Sequence, residues 1–206
     1  AMSPETIQGY GFLKPYGYSG DFQMIDKIYQ QKVSERADLK NWDLFFHAQK
    51  APMAVRNRKQ YFIDMLTRLR RRFEDRELQV LNVASGPCRD VKEYLDQSGD
   101  SRIHFHCVDA DPHAIAYARE TCRHQRHQMT FYHKTALRFR SAERFDLVWS
   151  AGLLDYFTDR QFIFLVKNLY RQLRDDAELI VGNFHPDNPS RDYMELIGDW
   201  HLNYRS

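Results

Sequence analysis

The chain has 206 residues, 43 % of them hydrophobic and 28 % charged, with 30 Lys and Arg against 28 Asp and Glu and a net charge of +2. That length accommodates one α/β domain with a sizeable core, and that balance is ordinary for a globule rather than a disordered or polycationic chain. No apolar stretch reaches membrane-spanning length, and no secretory signal opens the sequence.

Ala1-Met2 has the look of a remnant left by a cleaved tag. The following GYGFLKPYGYSGDF, residues 9–22, has no hydrophobic period. Its glycines permit tight turns, and Tyr10, Phe12, Tyr16, Tyr18 and Phe22 offer large contact surfaces. The composition suits a loop that folds over a ligand, and equally a segment that covers one edge of a core. Met24 to Val33 and Trp42 to Gln49 read as short helices, the second with Trp42, Phe45 and Phe46 inward. Residues 1–50 are thus expected to form an N-terminal lid or helical extension on a core spanning 51–206.

A longer helix is expected from Ala51 to Phe73. Pro52 suits its first turn, and Val55, Phe62, Met65, Leu66, Leu69 and Phe73 give its inward stripe. Arg56 and Arg58 near its start could hold a carboxylate or stay on the surface. The basic run Arg68, Arg70, Arg71 and Arg72 is answered at once by Glu74, Asp75 and Glu77. It reads as a solvated helix end, not a nucleic-acid patch.

The stretch QVLNVASGPCRDVKEY, Gln79 to Tyr94, organises the rest. Val80, Leu81 and Val83 form a short apolar run of the parallel-sheet kind. Ala84, Ser85, Gly86 and Pro87 break it, and Val91, Tyr94 and Leu95 follow at helical spacing. Small residues in such a turn let the backbone approach a ligand, beside the unpaired N–H groups of a helix N-terminus. The glycine positions of a nucleotide-binding turn are filled here by Ala84, Gly86 and Cys88. A second apolar strand, Ile103 to Val108, ends in Asp109. An acid at that strand tip can accept both hydroxyls of a ribose. Asp111 is placed to cap the next helix, with Pro112 at its first position. Strands are expected at Met129–His133, Phe145–Trp149 and Glu178–Val181, with a helix from Asp159 to about Leu173.

Strands alternating with helices predict an α/β, doubly wound, mostly parallel Rossmann-like sheet. Ligands of such sheets lie at the carboxyl ends of the strands. That places Ala84, Ser85, Gly86, Asp109, Ala110, Asp111, Thr135, Ala136, Leu137, Ser150, Ala151 and Gly152 at a cofactor site. On the acceptor side stand Asp155, Tyr156 and His185. Asp155 is equally suited to cap the helix that follows, Tyr156 to pack, and His185 to be a loop residue without a role. Twenty-three residues follow Asn183 in the chain of 206. Asp192 to Trp200 reads as a helix, which leaves too few for a final β-hairpin. The sheet is therefore expected to lack that hairpin, and a second copy or a partner chain is expected to complete it.

Three cysteines, Cys88, Cys107 and Cys122, cannot all pair and show no CxxC spacing. They point to a reducing, cytoplasmic setting. His104 and His106 lie two apart on a strand, and His124 and His127 three apart on a helix. No Cys or acidic spacing completes a metal site.

The turn VASGP, the strand tip VDADP and the stretch FDLVWSAGLLDYF together resemble the S-adenosylmethionine (SAM) site of class I methyltransferases, over roughly Tyr61 to Asn183. Asn82 departs from that family's acid and Cys88 from its third glycine. The resemblance implies a methyltransferase with SAM as cofactor. KPYGYSGDF, AVRNRKQYF, WSAGLLDYF, GNFHPDNPSRDYM and DWHLNYRS further resemble a bacterial subfamily within the class, whose named member makes 3-hydroxy fatty-acid methyl esters as cell-density signals. That implies small-molecule biosynthesis by O-methylation of a carboxylic acid such as a hydroxy fatty acid. It carries Tyr16, Tyr18, Arg56 and Arg58 over as ligand contacts, Tyr16, Tyr18 and Arg58 of them at the cofactor, and Asp155, Tyr156 and His185 as substrate-side positions. Two rivals stay open. One is SAM consumption by attack of its own amine, giving a cyclic amino acid. The other is a non-catalytic SAM-binding subunit.

Overall fold

Helices fill the chain up to Arg72 and then alternate with strands, as the periodicities dictate, in a computed structural model that describes residues 2–206. Two compact units result. The first runs through Tyr61 and takes in His185–Leu202 and Ser206; the second is Phe62–Phe184 with Asn203–Arg205.

The first unit holds α1 (Ile7–Leu13), α2 (Phe22–Tyr29), α3 (Ala37–Ala48) and the first half of α4 (Lys50–Arg72). Part of the segment expected to be aperiodic is helical. Thr6 caps α1 by accepting the Gly9 N–H through Oγ1 (3.0 Å), and Lys14 ends it in the left-handed region. Gly9 serves packing rather than a turn, because a Cβ there would lie 2.0 Å from the Ser3 carbonyl oxygen. The expected inward face of α3 is also corrected. Trp42 and Phe45 are exposed, and the buried stripe is Leu39, Asp43, Phe46 and His47. The phase is set by Asp43, whose carboxylate accepts the backbone N–H groups of Ile7 (2.8 Å) and Ser34 (2.7 Å). A polar residue thus sits inward because two backbone donors need it. Asp192–Trp200 forms only a π-helical turn, at Tyr193–Ile197.

The second unit is a five-stranded sheet flanked by helices. The strands are β1 (Leu78–Val83), β2 (Ile103–Asp109), β3 (Met129–His133), β4 (Phe145–Ser150) and β5 (Leu173–Val181). Their order is β3-β2-β1-β4-β5 and every pairing is parallel. Between them run α5 (Arg89–Ser98), α6 (Pro112–Thr121) and α7 (Asp159–Tyr170). One sheet face buries Leu78, Val80, Phe105, Cys107 and Trp149 against Phe62, Leu66 and Leu69 of α4, Val91 and Tyr94 of α5 and Ala118 of α6. The other face buries Leu81, Val83, Val108 and Val148 against Leu165 and Leu169 of α7 and against Phe139. Helices on both faces of a parallel sheet make the doubly wound architecture expected. Each large side chain so buried contributes about 1.5–3 kcal/mol.

The β3–β4 crossover carries no helix, so the lower half of its sheet face is lined by polar groups. His104 Nε2 lies 2.8 Å from Thr130 Oγ1. His106 is held between Tyr132 OH (3.0 Å), Gln79 Oε1 (2.9 Å) and the Glu143 carboxylate (3.1 Å). Burial pushes the His106 pKa down to about 4, against the pull of Glu143. The histidine spacing thus reflects one shared strand face. β5 begins five residues earlier than Glu178, across an irregularity at left-handed Asp176 that shifts its register on β4. Cys88, Cys107 and Cys122 are buried free thiols, and no helix among the described residues is long and apolar enough to cross a membrane.

Candidate functional site

β1 leads through α5 to β2 on one side, while β4 flanks β1 on the other. A crevice therefore opens at the carboxyl ends of β1 and β4, where the winding reverses. The turn leaving β1 is shaped by three left-handed residues: Ala84 (φ 52°), Gly86 (φ 53°) and Cys88 (φ 51°). These are the three positions a glycine-rich turn would use. Two are filled by residues with a Cβ, at a cost of roughly 1–2 kcal/mol each. Cys88 repays part of that by burying its side chain fully. Its hydrogen bond to Cys107 and its burial hold the thiol well above its ordinary pKa, so it stays protonated.

Asp109 fixes the turn. Its Oδ2 accepts the Gly86 N–H (2.9 Å) and its Oδ1 the Asp111 N–H (3.0 Å), while the Ser85 N–H reaches the Val108 carbonyl (3.1 Å). Burial raises the Asp109 pKa, and the backbone donors only partly oppose it. An ionised carboxylate has about four lone-pair sites, so room remains for a hydroxyl donor. Asp111 Oδ1 accepts the His113 N–H (2.8 Å) and caps α6 behind Pro112, as expected. Ala110 is exposed between the two acids.

Two observations test whether a nucleotide fits here. A Cβ built on Gly86 would meet no atom within 4 Å, so the turn faces open space. Asn82, in place of the expected acid, is 2 % exposed, and its Nδ2 has no hydrogen-bond partner among the described residues. Open space beside the turn and a spare buried donor two residues before it suit a ligand rich in acceptors.

β4 supplies the opposite wall. Ser150 is fully buried, and its Oγ donates to the Val83 carbonyl (3.2 Å), tying the ends of β4 and β1 together. Gly182 approaches Ala151 so closely that a Cβ would lie 2.9 Å from the Ala151 carbonyl oxygen. Ala151 and Gly152 are half-buried. Thr135, Ala136 and Leu137 form the turn after β3. The Thr135 carbonyl accepts from Arg138 and Phe139 (both 3.0 Å), and Ala136 and Leu137 pack on the core.

Asp155 does not cap α7. Thr158 does, in a reciprocal capping box with Gln161. The Asp155 carboxylate is 2 % exposed and accepts the Phe184 N–H (2.7 Å), joining the loop after β4 to the loop after β5. Tyr156 is 38 % exposed beside it. Five expected residues belong to the first unit. Tyr16 accepts from Gln23 Nε2 (2.8 Å) and packs on Phe22. Tyr18 is exposed, and Arg58 is half-buried on α4. His185 Nδ1 accepts the Asp187 N–H (3.2 Å). Arg56 is committed to the His47 carbonyl (2.9 Å). Sequence reasoning missed Asn203 and Arg205, whose contacts with the Asp155 loop are described below; polar residues in an irregular segment give no periodic signal.

The second unit has two large clefts at the opposite end of the sheet. One of about 990 Å³ is lined by Arg76, Arg144 and Arg174, and one of about 570 Å³ by His104, Tyr132 and Glu143. Neither adjoins the turn.

The fold is a doubly wound, Rossmann-like α/β domain of the class I methyltransferase kind. Residues 80–176, just under half of the chain, match the family model described as "Methyltransferase domain". With that domain the chain is a SAM-dependent methyltransferase, and S-adenosylmethionine is its cofactor. No curated protein sequence matches it. Among solved structures it is similar to a possible exported protein from Bordetella parapertussis, with 19 % identity, a TM-score of 0.75, and 90 % of this chain and 68 % of that one covered. It is also similar to the N-methyltransferase NodS from Bradyrhizobium japonicum WM9 in complex with S-adenosyl-L-homocysteine (SAH), with 18 % identity, a TM-score of 0.51, and 84 % of this chain and 76 % of that one covered. At such identities the likeness is one of fold.

Proposed function

We propose that the chain methylates a carboxylate oxygen of a small acid, with a hydroxy fatty acid as the favoured acceptor. The observation that carries this reading is the state of Asp155. It is the acid nearest the acceptor side, and its carboxylate is buried on the Phe184 amide. An amine or phenol acceptor calls for a base there. A carboxylate is already an anion at neutral pH and needs only positioning. The resemblance of the chain to the hydroxy-acid methyl ester subfamily supports the same choice.

When bound, SAM supplies an electrophilic methyl group on a sulfonium. Asp109 would accept its ribose hydroxyls, and the Ala84–Gly86 turn would run along it. Ala110, Asp111, Thr135, Ala136, Leu137, Ser150, Ala151 and Gly152 would line the crevice. Tyr16, Tyr18 and Arg58 are proposed as further cofactor contacts. Tyr156 would orient the acceptor through its hydroxyl, His185 would donate to the carboxylate, and Asp155 would hold the loop in place. A second copy or partner chain is proposed along the outer edge of β5, to be read by light scattering. A cytoplasmic setting is proposed from the three free thiols.

The test is incubation with SAM and 3-hydroxypalmitic acid, followed by mass spectrometry before and after mild alkali. A methyl ester forms and is cleaved by base if the reading holds. A base-stable methylated product from an amine acceptor, with none from acids, sinks it.

A further inference from the structure

Asn203 and Arg205 knit together the two loops that leave β4 and β5. We infer that Arg205 is a positioning residue for the acceptor side of the crevice, acting through those loops. Its Nη1 donates to the Leu154 carbonyl (2.9 Å) and to Asn183 Oδ1 (3.1 Å). Its Nη2 donates to the Phe157 carbonyl (2.5 Å) and to Asp159 Oδ1 (2.9 Å), and its Nε also reaches Asp159 (3.1 Å). Its backbone N–H donates to the Phe184 carbonyl (3.0 Å). One guanidinium thus holds both ends of the 154–157 turn and Asn183 in the loop after β5. The side chain is only 17 % exposed, although Asp159 is largely in water, and its Cζ lies 4.7 Å from the centroid of the Phe162 ring. Asn203 completes the latch. Its backbone N–H donates to the Asp155 carbonyl (2.7 Å), as does its Nδ2 (3.2 Å), and its own carbonyl accepts from Asn183 Nδ2 (3.0 Å).

The geometry explains why an arginine is there. Acceptors from two loops, from the first residue of α7 and from Asn203 lie around one planar group, and they need donors that diverge in a fixed fork. A lysine offers three donors from one point and cannot span both carbonyls and Asn183. Loop carbonyls at a site mouth otherwise need water, and water would let the loops drift. In-line methyl transfer depends on placement to within about an ångström. A latch on the loops beside Asp155 and Tyr156 therefore sets how the acceptor is held, while the Gly86–Asp109 clamp is built without it.

The kinetic arm of the test rests on the acceptor reading above; the exchange arm does not. In the full chain, Arg205→Ala, Arg205→Lys and Asn203→Ala are compared with wild type. Hydrogen exchange at the Phe184 amide should quicken about tenfold or more in Arg205→Ala, the loss of roughly one charged hydrogen bond, while Val80–Val83 keep their protection. SAH affinity, read by calorimetry, should change less than about threefold, well under that tenfold step. KM for 3-hydroxypalmitic acid should rise in Arg205→Ala and in Arg205→Lys alike. Unchanged exchange at Phe184 overturns the latch, and so does rescue by Lys or an equal loss of SAH and acceptor binding. If Arg205→Ala unfolds, Asn203→Ala must loosen Phe184 in its place, or the idea fails. If wild type does not methylate the acid, the acceptor reading fails and exchange at Phe184 alone decides the latch.

Discussion

Asp109→Asn is the sharpest test of the cofactor half of the crevice. The substitution keeps shape and volume but replaces one acceptor oxygen by an NH₂ donor. In the native protein both oxygens are used, on Gly86 (2.9 Å) and Asp111 (3.0 Å). The amide can keep one of these bonds and must point donors at the other. It also removes the negative charge expected to receive the ribose hydroxyls. A hydrogen bond to a charged group contributes about 1.5–3 kcal/mol. At 1.4 kcal/mol per factor of ten, SAH affinity should fall about 10- to 100-fold. Calorimetric titration with SAH reads this directly. A dissociation constant within about twofold of wild type, a difference of under half a kcal/mol, would refute the ribose assignment.

The pH dependence sharpens the test, because affinity and stability should move oppositely. Burial raises the Asp109 carboxyl above its ordinary value of 3.8. SAH affinity should therefore weaken on acidification from above the usual carboxylate range, as the better acceptor is protonated. For folding the sign reverses. Between the two values the folded chain holds this proton more tightly than the unfolded chain does, so the carboxyl withdraws stability as pH rises through that window. Asp109→Asn should abolish both slopes. A mutant that keeps the wild-type affinity profile would assign the titration to another group.

Three further outcomes follow from single contacts. Gly86→Ala should cost about 1–2 kcal/mol of stability in urea, because φ is 53°, and should weaken SAH binding by filling the space beside the turn; unchanged binding would place the ligand elsewhere. Asp146→Asn should cost roughly 2–3 kcal/mol and leave SAH affinity intact. Asp146 is 1 % exposed; it accepts from Gln79 N and Arg174 (both 2.8 Å) and forms an ion pair with Arg76 (2.5 Å), but the two arginines are more than a third exposed and can rehydrate. His106 stays neutral when folded, with a pKa near 4 against an ordinary 6.5. The unfolded chain takes up that proton first, so stability should fall as pH drops from about 6.5 towards 4, and less steeply in His106→Gln; equal slopes in the two proteins would show that His106 is not the group responsible.

The central strands were legible because burial on both sheet faces writes itself as apolar runs, and Val80, Leu81 and Val83 have no other use. The turn was legible for a subtler reason. Ala84, Gly86 and Cys88 sit at the spacing a glycine-rich turn requires, and all three adopt left-handed backbone although two are not glycine. The spacing therefore carried more than residue identity did. Where the reading failed, a distant polar contact outranked local pattern. Asp43 rotates α3 so that Trp42 faces out, since Ile7 and Ser34 need its carboxylate. Glycines at 9 and 11 look like turn residues, yet they lie in a helix, and at Gly9 the packing against the Ser3 backbone leaves no room for a side chain.

The two halves of the crevice differ in how far apart in sequence their partners lie. The clamp on the cofactor side joins Gly86 to Asp109, 23 residues away and within one strand-helix-strand unit. Such a unit reads from sequence because its parts keep a fixed order and spacing. The proposed acceptor side joins Asp155 to Phe184 at 29 residues, Asn203 to Asp155 at 48 and Arg205 to Leu154 at 51. Those partners lie in loops and an irregular segment, where insertions cost little and side chains follow no period. Asp155 shows the consequence. Read alone it is an acid in a loop after a strand, equally a base, a helix cap or a tether, and only Phe184 distinguishes the three. Evolution can thus rebuild the acceptor side by changing loops and their tethers while the turn on β1 and the acid on β2 stay in place, which is how one fold can keep its cofactor and exchange its acceptor.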